Sequence, residues 1–332
     1  MTPKKETILV LGGAGYIGSH TAYLLAQQKY HVIIIDKLIH KQTFPHQWAK
    51  FIQADFADTN VLAHIFSTYN ISTVMHFAAF IEVGESVKRP CDFYENNVQK
   101  VLILLESMLQ HNIKNFIFSS SCAVYGEPQK LPLEETHPTN PTSPYGKNKL
   151  IVEFALQDYA LAYDFKFVSL RYFNAAGAMP EQNLGEQHNP ETHIIPLLLR
   201  AIISEKIFTI FGTDYNTPDG TCMRDYVHVI DIAHAHIAAL NYLKNGNQSG
   251  VFNLGSGHGY TVAQVIQAAE KICSKKAHIV HRKRRPGDVA ILQADANKAQ
   301  KILNWHTKHS TLEAMLTSAL AWEKKSQINN RY

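Results

Sequence analysis

Ser119-Ser120-Ser121 precede a Tyr145-Gly-Lys-Asn-Lys149 stretch in the same chain. Tyr145 and Lys149 are spaced i and i+4, so on a helix they share one face. A free tyrosine titrates near pH ~10, too high for an efficient base, and each unit of lowering corresponds to roughly 1.4 kcal/mol. A lysine cation beside the phenol favours the phenolate. The serines close a short apolar run, Asn115-Phe-Ile-Phe. In open α/β sheets the C-terminal ends of such strands face the ligand crevice. A serine there can hydrogen-bond a reacting hydroxyl and complete a Ser121/Tyr145/Lys149 set. That set suits hydride transfer assisted by proton transfer. Tyr-x-x-x-Lys alone is a common surface pair; the serine strand before it gives the pair its weight.

A second group of residues can hold a phosphate. Gly12-Gly-Ala-Gly-Tyr-Ile-Gly18 fits G-x-G-x-x-G through Gly13, Gly15 and Gly18, and an overlapping three-residue spacing through Gly12, Gly15 and Gly18. The motif follows a predicted strand and opens a helix, the context that gives it meaning. Glycines let the backbone approach a pyrophosphate, and the helix start adds free N–H donors. Asp36 ends the second predicted strand, where an acidic residue holds the ribose diol of a dinucleotide. A carboxylate there repels a 2′-phosphate, which favours NAD over NADP, although Lys37 follows at once. Asp55, after the third strand, is placed to meet the adenine edge.

The elements that must position these residues alternate. Thr7–Leu11, His31–Asp36, Phe51–Ala54, Thr73–Ala78, Asn115–Ser119 and Lys166–Arg171 read as strands, the last closing the series. Helices are predicted from Ser19 to Gln28, Asp58 to Tyr69, Asn96 to His111 and Pro144 to Tyr163. Strands apolar throughout indicate a parallel sheet covered on both faces. The expected fold class is α/β, a Rossmann-type doubly wound parallel sheet. The helix at Asn96–His111 carries more apolar residues than one stripe needs, so its extra face is either core or a subunit contact. After Asn174, loops rich in Gly, Pro, Asn and Asp break the pattern, with helices at Ile194–Ser204, Val229–Leu243 and about Thr311–Lys324. We expect an NAD-binding domain over 1–175 and a smaller mixed α/β sugar-nucleotide-binding cap over 176–332, with residues 222–243 returning to the first part.

Bulk properties exclude several classes. The chain has 332 residues, 45% hydrophobic and 18% charged, with a net charge of +4, an ordinary globular balance. Its one dense basic run, Arg282-Lys283-Arg284-Arg285, suits a phosphate-bearing ligand better than nucleic acid. Cys91, Cys122, Cys222 and Cys273 form no C-x-x-C, so a disulfide framework is not expected and a cytoplasmic, reducing setting is. None of the common His/Cys metal spacings occurs, and the 18 histidines read as a mostly surface set with no metal. Residues 1–6 are polar and the apolar run after them is too short for a secretory core. No run of roughly 18 apolar residues suggests a membrane span.

From about Thr7 to Trp322 the chain resembles the UDP-glucose 4-epimerase family within the extended short-chain dehydrogenase/reductase superfamily. The phrases GGAGYIGSHT, HFAAFIEVGES, NFIFSSSCAVYG, SPYGKNKLIVE, LRYFNAAGA, YNTPDGTCMRDYVHV, FNLGSG and RRPGD carry the likeness. The resemblance implies Tyr145 as base, Ser121 bonding the same oxygen, and Lys149 binding the nicotinamide ribose. It implies a pyrophosphate cradle of Gly12, Gly15, Tyr16 and Ile17, and an NAD site completed by Asp36, Asp55, Phe56, Phe77, Ala78, Ala79, Asn96, Tyr172 and Phe173. UDP and the sugar would meet Asn174, His193, Ile194, Thr209, Ile210, Phe211, Arg224, Arg285 and Asp288, the two arginines serving as charge partners of the diphosphate. It also implies homodimers through helices matching Asn96–His111 and Pro144–Tyr163.

Ile81 stands where some family members carry a lysine, and His193 where others carry asparagine. Leu292 occupies the position that helps set sugar size; it is intermediate between the tyrosine associated with excluding N-acetyl sugars and the cysteine or serine associated with admitting them. A UDP-N-acetylglucosamine 4-epimerase therefore stays open. A 4,6-dehydratase would need an acid and a base where Cys122 and Ala123 stand, and a non-catalytic NAD sensor would have no use for a tuned phenol.

Overall fold

The computed structural model describes residues 6–39, 44, 46–285 and 288–329. The polar start at residues 1–5 and Pro286-Gly287 of the RRPGD phrase lie outside them. The first half of the chain supplies six strands, β1 (Glu6–Leu11), β2 (His31–Asp36), β3 (Lys50–Gln53), β4 (Asn70–His76), β5 (Asn115–Ser121) and β6 (Lys166–Tyr172). β7 (Asn174–Ala176), β8 (Ile207–Phe211) and β9 (Met223–His228) leave this sheet, and β10 (Gly250–Leu254) returns to it beside β6. The seven strands are parallel, in the order β10-β6-β5-β4-β1-β2-β3. The order reverses between β1 and β4, the point where a ligand crevice opens in doubly wound sheets. Lys166–Arg171 therefore does not close the series; β10 adds a seventh strand from far along the chain.

The continuous apolar runs have a direct cause. Ile8 and Val10 of β1 join a core with α1 (Tyr16–Gln27) on one face. Leu9 and Leu11 join another with α2 (Thr59–Thr68) on the opposite face. Alternate side chains point to opposite faces, so a sheet covered twice needs every residue apolar. α3 (Val83–Lys88) and α4 (Pro90–Tyr94) lead to a π-helical turn at Glu95–Gln99, then to α5 (Lys100–Gln110) and α6 (Pro144–Tyr163). The predicted helix at Asn96–His111 is thus two pieces. The turn brings Asn97 against Phe80, whose backbone N–H and carbonyl both bond the Asn97 side chain at 2.9 Å. Half of the eight apolar residues there, Val101, Leu104, Leu105 and Met108, are core, and Val98 and Leu109 pack against it.

The remaining helices are α7 (Ile194–Ile203), α8 (Val229–Lys244), α9 (Val262–Cys273), α10 (Asn297–Leu303) and α11 (Leu312–Asn329). α8 packs on α1 and the large sheet, whereas α7, α9 and α11 enclose a separate apolar cluster with Phe208, Ile210 and Tyr226. Short strands β11 (Gly259–Thr261), β12 (His278–Arg282) and β13 (Ile291–Leu292) complete the smaller part. β9 pairs with β7, β11 and β13, and β8 with β12. No helix among the described residues is long and apolar enough to cross a membrane. The four cysteines are unbridged.

Candidate active site

The glycine turn fills the crevice end of β1. Gly12 has φ +75, and a Cβ there would lie 2.6 Å from the Ala78 backbone nitrogen. At Gly18 a Cβ would come within 2.3 Å of the Gly12 carbonyl, so the helix could not seat on the turn. Gly15 stands at the N-cap of α1 and no side chain caps the helix, leaving its first N–H groups for an anion. Asp36 is oriented from the other side, its two oxygens accepting the Ala14 N–H at 3.0 Å and the Leu38 N–H at 2.8 Å. A tight, uncapped turn facing an oriented carboxylate fits a dinucleotide.

Lys37 does not oppose this reading. Its ammonium is 2.9 Å from Asp55, which Lys100 also meets at 2.7 Å. Burial alone would raise the Asp55 carboxyl, but bonds from Lys100, the Ala57 N–H and Lys37 pull it down to about 2. Nearby, Phe56 is buried, Phe77, Ala78 and Ala79 are half-covered, and Asn96 donates to Asn97 at 3.0 Å from within the π turn. Tyr16 reaches the other half of the molecule, its buried hydroxyl donating to the Gly177 carbonyl at 2.6 Å, while Ile17 packs against the α1-side core.

Ser121 ends β5 and Tyr145 opens α6. Ser143 caps that helix by accepting the Gly146 N–H, with Pro144 in its first turn. The Ser121 side chain, which accepts the Ala123 N–H at 3.2 Å, lies near enough to the Tyr145 phenol to favour its ionised form. The Lys149 ammonium lies 5.7 Å from the Tyr145 ring centroid and donates to the Ser119 carbonyl at 2.8 Å. Lys149 thus reaches the strand and not the phenol oxygen. Burial holds the Tyr145 phenol up at about 12, against the pull of Ser121; its ring is only half-buried, so water moderates the push. Burial lowers Lys149 to about 7, against the opposing charge of Glu153. This resting geometry keeps the phenol neutral, in contrast to the lysine-tuned phenolate expected from spacing alone. Cys122, buried beside Ser121, is pushed up to about 12.

Behind this set lies a relay that spacing did not reveal. The Tyr172 hydroxyl hydrogen-bonds Ser119 Oγ and meets His236 Nε2 at 2.9 Å. His236 Nδ1 is fixed by the Ile232 carbonyl at 2.9 Å, and its ring packs on Phe77. Tyr172 therefore points its hydroxyl away from solvent, into the sheet. His20, His76, His228 and His236 are buried, exceptions to a set that otherwise lies at or near the surface among the described residues.

The remaining candidates come from the second half. Asn174 on β7 donates to the Asp225 carbonyl at 2.9 Å, tying it to β9. Asp225 is buried and gathers the N–H groups of Ser256, Gly257 and Ala294; sequence reading passed it over. Arg224 follows Met223 on β9 and lies opposite Leu292 of β13 in register. Leu292 packs on a cluster containing Cys122 and Phe173, which brings it beside the Ser121 turn. Arg285 pairs with Asp288 at 2.9 Å and covers the Phe211 ring at 5.1 Å. On β8, Thr209 is half-exposed while Ile210 faces core, so Ile210 has only its backbone to offer. His193 occupies the N-cap position of α7 ahead of Ile194, without a side-chain capping bond. Of the basic run, Arg284 is engaged by Asp214 at 2.8 Å.

Fold and site together define an enzyme class, and comparison with known proteins agrees: residues 8–255 match the NAD dependent epimerase/dehydratase family, to which the chain belongs. Its relatives include a UDP-glucose 4-epimerase of Halalkalibacterium halodurans, 46% identical over 319 residues and spanning 96% of both chains. The Brucella ovis UDP-glucose 4-epimerase, solved in complex with NAD, superposes with a TM-score of 0.91 at 42% identity, covering 95% of this chain and 97% of that one. The Bifidobacterium longum enzyme, solved with NAD+ and UDP, gives 0.90 at 39% identity over 97% and 99% of the two chains.

Proposed function

We propose that this protein is an NAD-dependent isomerase that interconverts UDP-galactose and UDP-glucose through a 4-keto sugar. The observation that carries the reading is the grouping of Ser121, Tyr145 and Lys149 at the end of β5, the same sheet edge as the glycine turn after β1, in a chain 46% identical to a UDP-glucose 4-epimerase along its length. NAD, when bound, supplies the acceptor and donor of the C4 hydride. Gly12, Gly15, Tyr16 and Ile17 would hold its pyrophosphate, Asp36 its ribose diol, and Asp55, Phe56, Phe77, Ala78, Ala79, Asn96, Tyr172 and Phe173 the rest, with Lys37 closing the rim through Asp55. Lys149 is proposed to bind the nicotinamide ribose.

As the phenolate, which the positive charge of bound NAD and the nearby Lys149 would favour, Tyr145 would take the 4-hydroxyl proton and later return it, while Ser121 would hold the same oxygen. Because the sugar must present both faces to one proton carrier, UDP has to be gripped and the hexose left free to turn. Arg224 and Arg285 suit the diphosphate, and Asn174, His193, Ile194, Thr209, Ile210, Phe211, Asp288 and Leu292 are proposed to frame the nucleotide and sugar. A dehydratase is disfavoured by Cys122, whose raised, buried thiol is no acid or base at neutral pH. The division into 1–175 and 176–332, with 222–243 joined to the first part, is proposed on the same footing; β10 crosses it.

The protein is further read as a cytoplasmic homodimer. Ile151, Phe154 and Leu161 on α6 are exposed, Leu161 by 87%, as is Leu102 on α5. These apolar residues support pairing through the helices at 96–111 and 144–163, with no nucleic acid or membrane partner. The activity is tested by incubating the purified protein with UDP-galactose, without added cofactor, and following the sugar signals by NMR. UDP-glucose should form. No conversion, even after NAD is supplied, would overturn the reading.

A further inference from the structure

Glu186, His188, Glu191 and His193 lie on the loop that leads into α7 and turn toward one another. One ligand atom from each lies within 4.8 Å of all the others. Glu186 Oε1 is 3.0 Å from His188 Nδ1 and hydrogen-bonds His193 Nδ1. Glu191 Oε1 stands 3.8 Å from His188 Nδ1 and 3.7 Å from His193 Nδ1. That oxygen is aimed by two backbone donors, the N–H of Thr192 at 2.8 Å and of His193 at 3.0 Å. Glu191 Oε2 is buried and accepts no hydrogen bond among the described residues. Arg200 is 3.6 Å from it, but its guanidinium is taken up by Glu323 at 2.7 and 2.9 Å.

Two carboxylates with two imidazoles give two nitrogen and two oxygen donors, and a net charge of −2 when both rings are neutral. That matches a divalent ion. Bond lengths of ~2.0–2.2 Å in a tetrahedral zinc site place neighbouring donors roughly 3.3–3.6 Å apart, so the wider pairs, within 4.8 Å here, must draw in while the two Glu186–imidazole contacts open. Imidazole and carboxylate together suit zinc better than calcium or magnesium, which take oxygen ligands. We propose that Glu186, His188, Glu191 and His193 bind one divalent transition-metal ion, zinc above all, which clamps the 186–193 loop to the start of α7. The spacing Glu-x-His-x-x-Glu-x-His is its sequence mark, and it owes nothing to the proton transfer at Tyr145.

The test uses untagged, full-length protein stripped with EDTA and titrated with zinc or cobalt(II). Zinc should be retained at about one ion per chain after gel filtration, as counted by mass spectrometry. Cobalt(II) should give visible bands of a four-coordinate site that zinc abolishes. His188→Ala and the isosteric Glu191→Gln should each weaken zinc binding by about 100-fold or more, since even an outer-shell loss costs roughly 10–100-fold. Failure of the wild type to hold stoichiometric zinc would overturn the proposal, as would folded variants that bind zinc like the wild type. Turnover is not the readout, so the result stands apart from the fate of the epimerase reading.

Discussion

Glu153 lies one turn past Lys149 on α6 and has no exposed surface. Its carboxylate accepts Ser120 Oγ at 2.5 Å, Arg171 Nε at 3.0 Å and Arg171 Nη2 at 2.5 Å. Arg171 also donates to Tyr125, which donates to Asn253 of β10. One carboxylate thus binds the catalytic helix to β5, β6 and, through Tyr125, the seventh strand. Glu153→Gln keeps the volume but leaves the Arg171 cation buried without a counter-charge. Breaking such a pair destabilises by about 3–5 kcal/mol, whereas replacing both partners with apolar residues is often neutral. The assay is chemical unfolding followed by tryptophan fluorescence, on the wild type, Glu153→Gln and the double variant Glu153→Leu/Arg171→Met. The single variant should lose about 3–5 kcal/mol and the double variant should recover most of it. A single-variant loss below about 1 kcal/mol, the value of an exposed pair, would refute the reasoning.

Tyr145→Phe should lower turnover by about 10²–10⁴-fold, the usual share of a positioned acid or base, while extracted protein still yields NAD by chromatography; unchanged turnover would exclude Tyr145 as the base. Asp36→Ala removes the acceptor of the Ala14 and Leu38 N–H groups, so retained NAD should fall in the same extraction. The Asp55 carboxyl, held at about 2 in the folded chain, lies below its unfolded value of ~3.9. Its contribution is therefore whole above about pH 4 and lost as pH falls toward 2, at most roughly 2.5 kcal/mol before solvent screening and less after it; Asp55→Asn should flatten that part of the acid-unfolding curve. Phe154→Asp with Leu161→Asp should turn the proposed dimer into a monomer by light scattering, with circular dichroism unchanged. Leu292→Tyr should depress any activity on UDP-N-acetylgalactosamine relative to UDP-galactose.

Features governed by local rules were legible from residues alone. α6 runs Pro144–Tyr163 as expected, because Ser143 and Pro144 mark its start and Asp164 takes the left-handed conformation that ends it. β1, the glycine turn and α1 follow in the order the motif requires, although α1 begins at Tyr16, three residues before its predicted start. Long-range pairing was harder. β10 is five residues long and joins β6 with α7, α8 and three other strands in between, so nothing near Gly250 announces its place. The π turn at Glu95–Gln99 leaves the apolar period nearly intact and cannot be told from an α-helix by pattern. Two buried histidines are exceptions to the surface set for a physical reason: His20 and His236 each bond the carbonyl one turn earlier, at 2.7 and 2.9 Å, which satisfies the ring locally and lets it enter the core. Lys149 faces Tyr145 as i and i+4 demand, yet its ammonium settles on the Ser119 carbonyl, a choice only the tertiary fold makes.

The central claim is that the C4 hydrogen leaves and returns within one site while Tyr145 handles only the hydroxyl proton. UDP-galactose carrying deuterium at C4, incubated with the protein in ordinary water, tests it most directly. The account predicts UDP-glucose that keeps its deuterium at C4, read by mass spectrometry and NMR. Product with solvent hydrogen at C4 would contradict it.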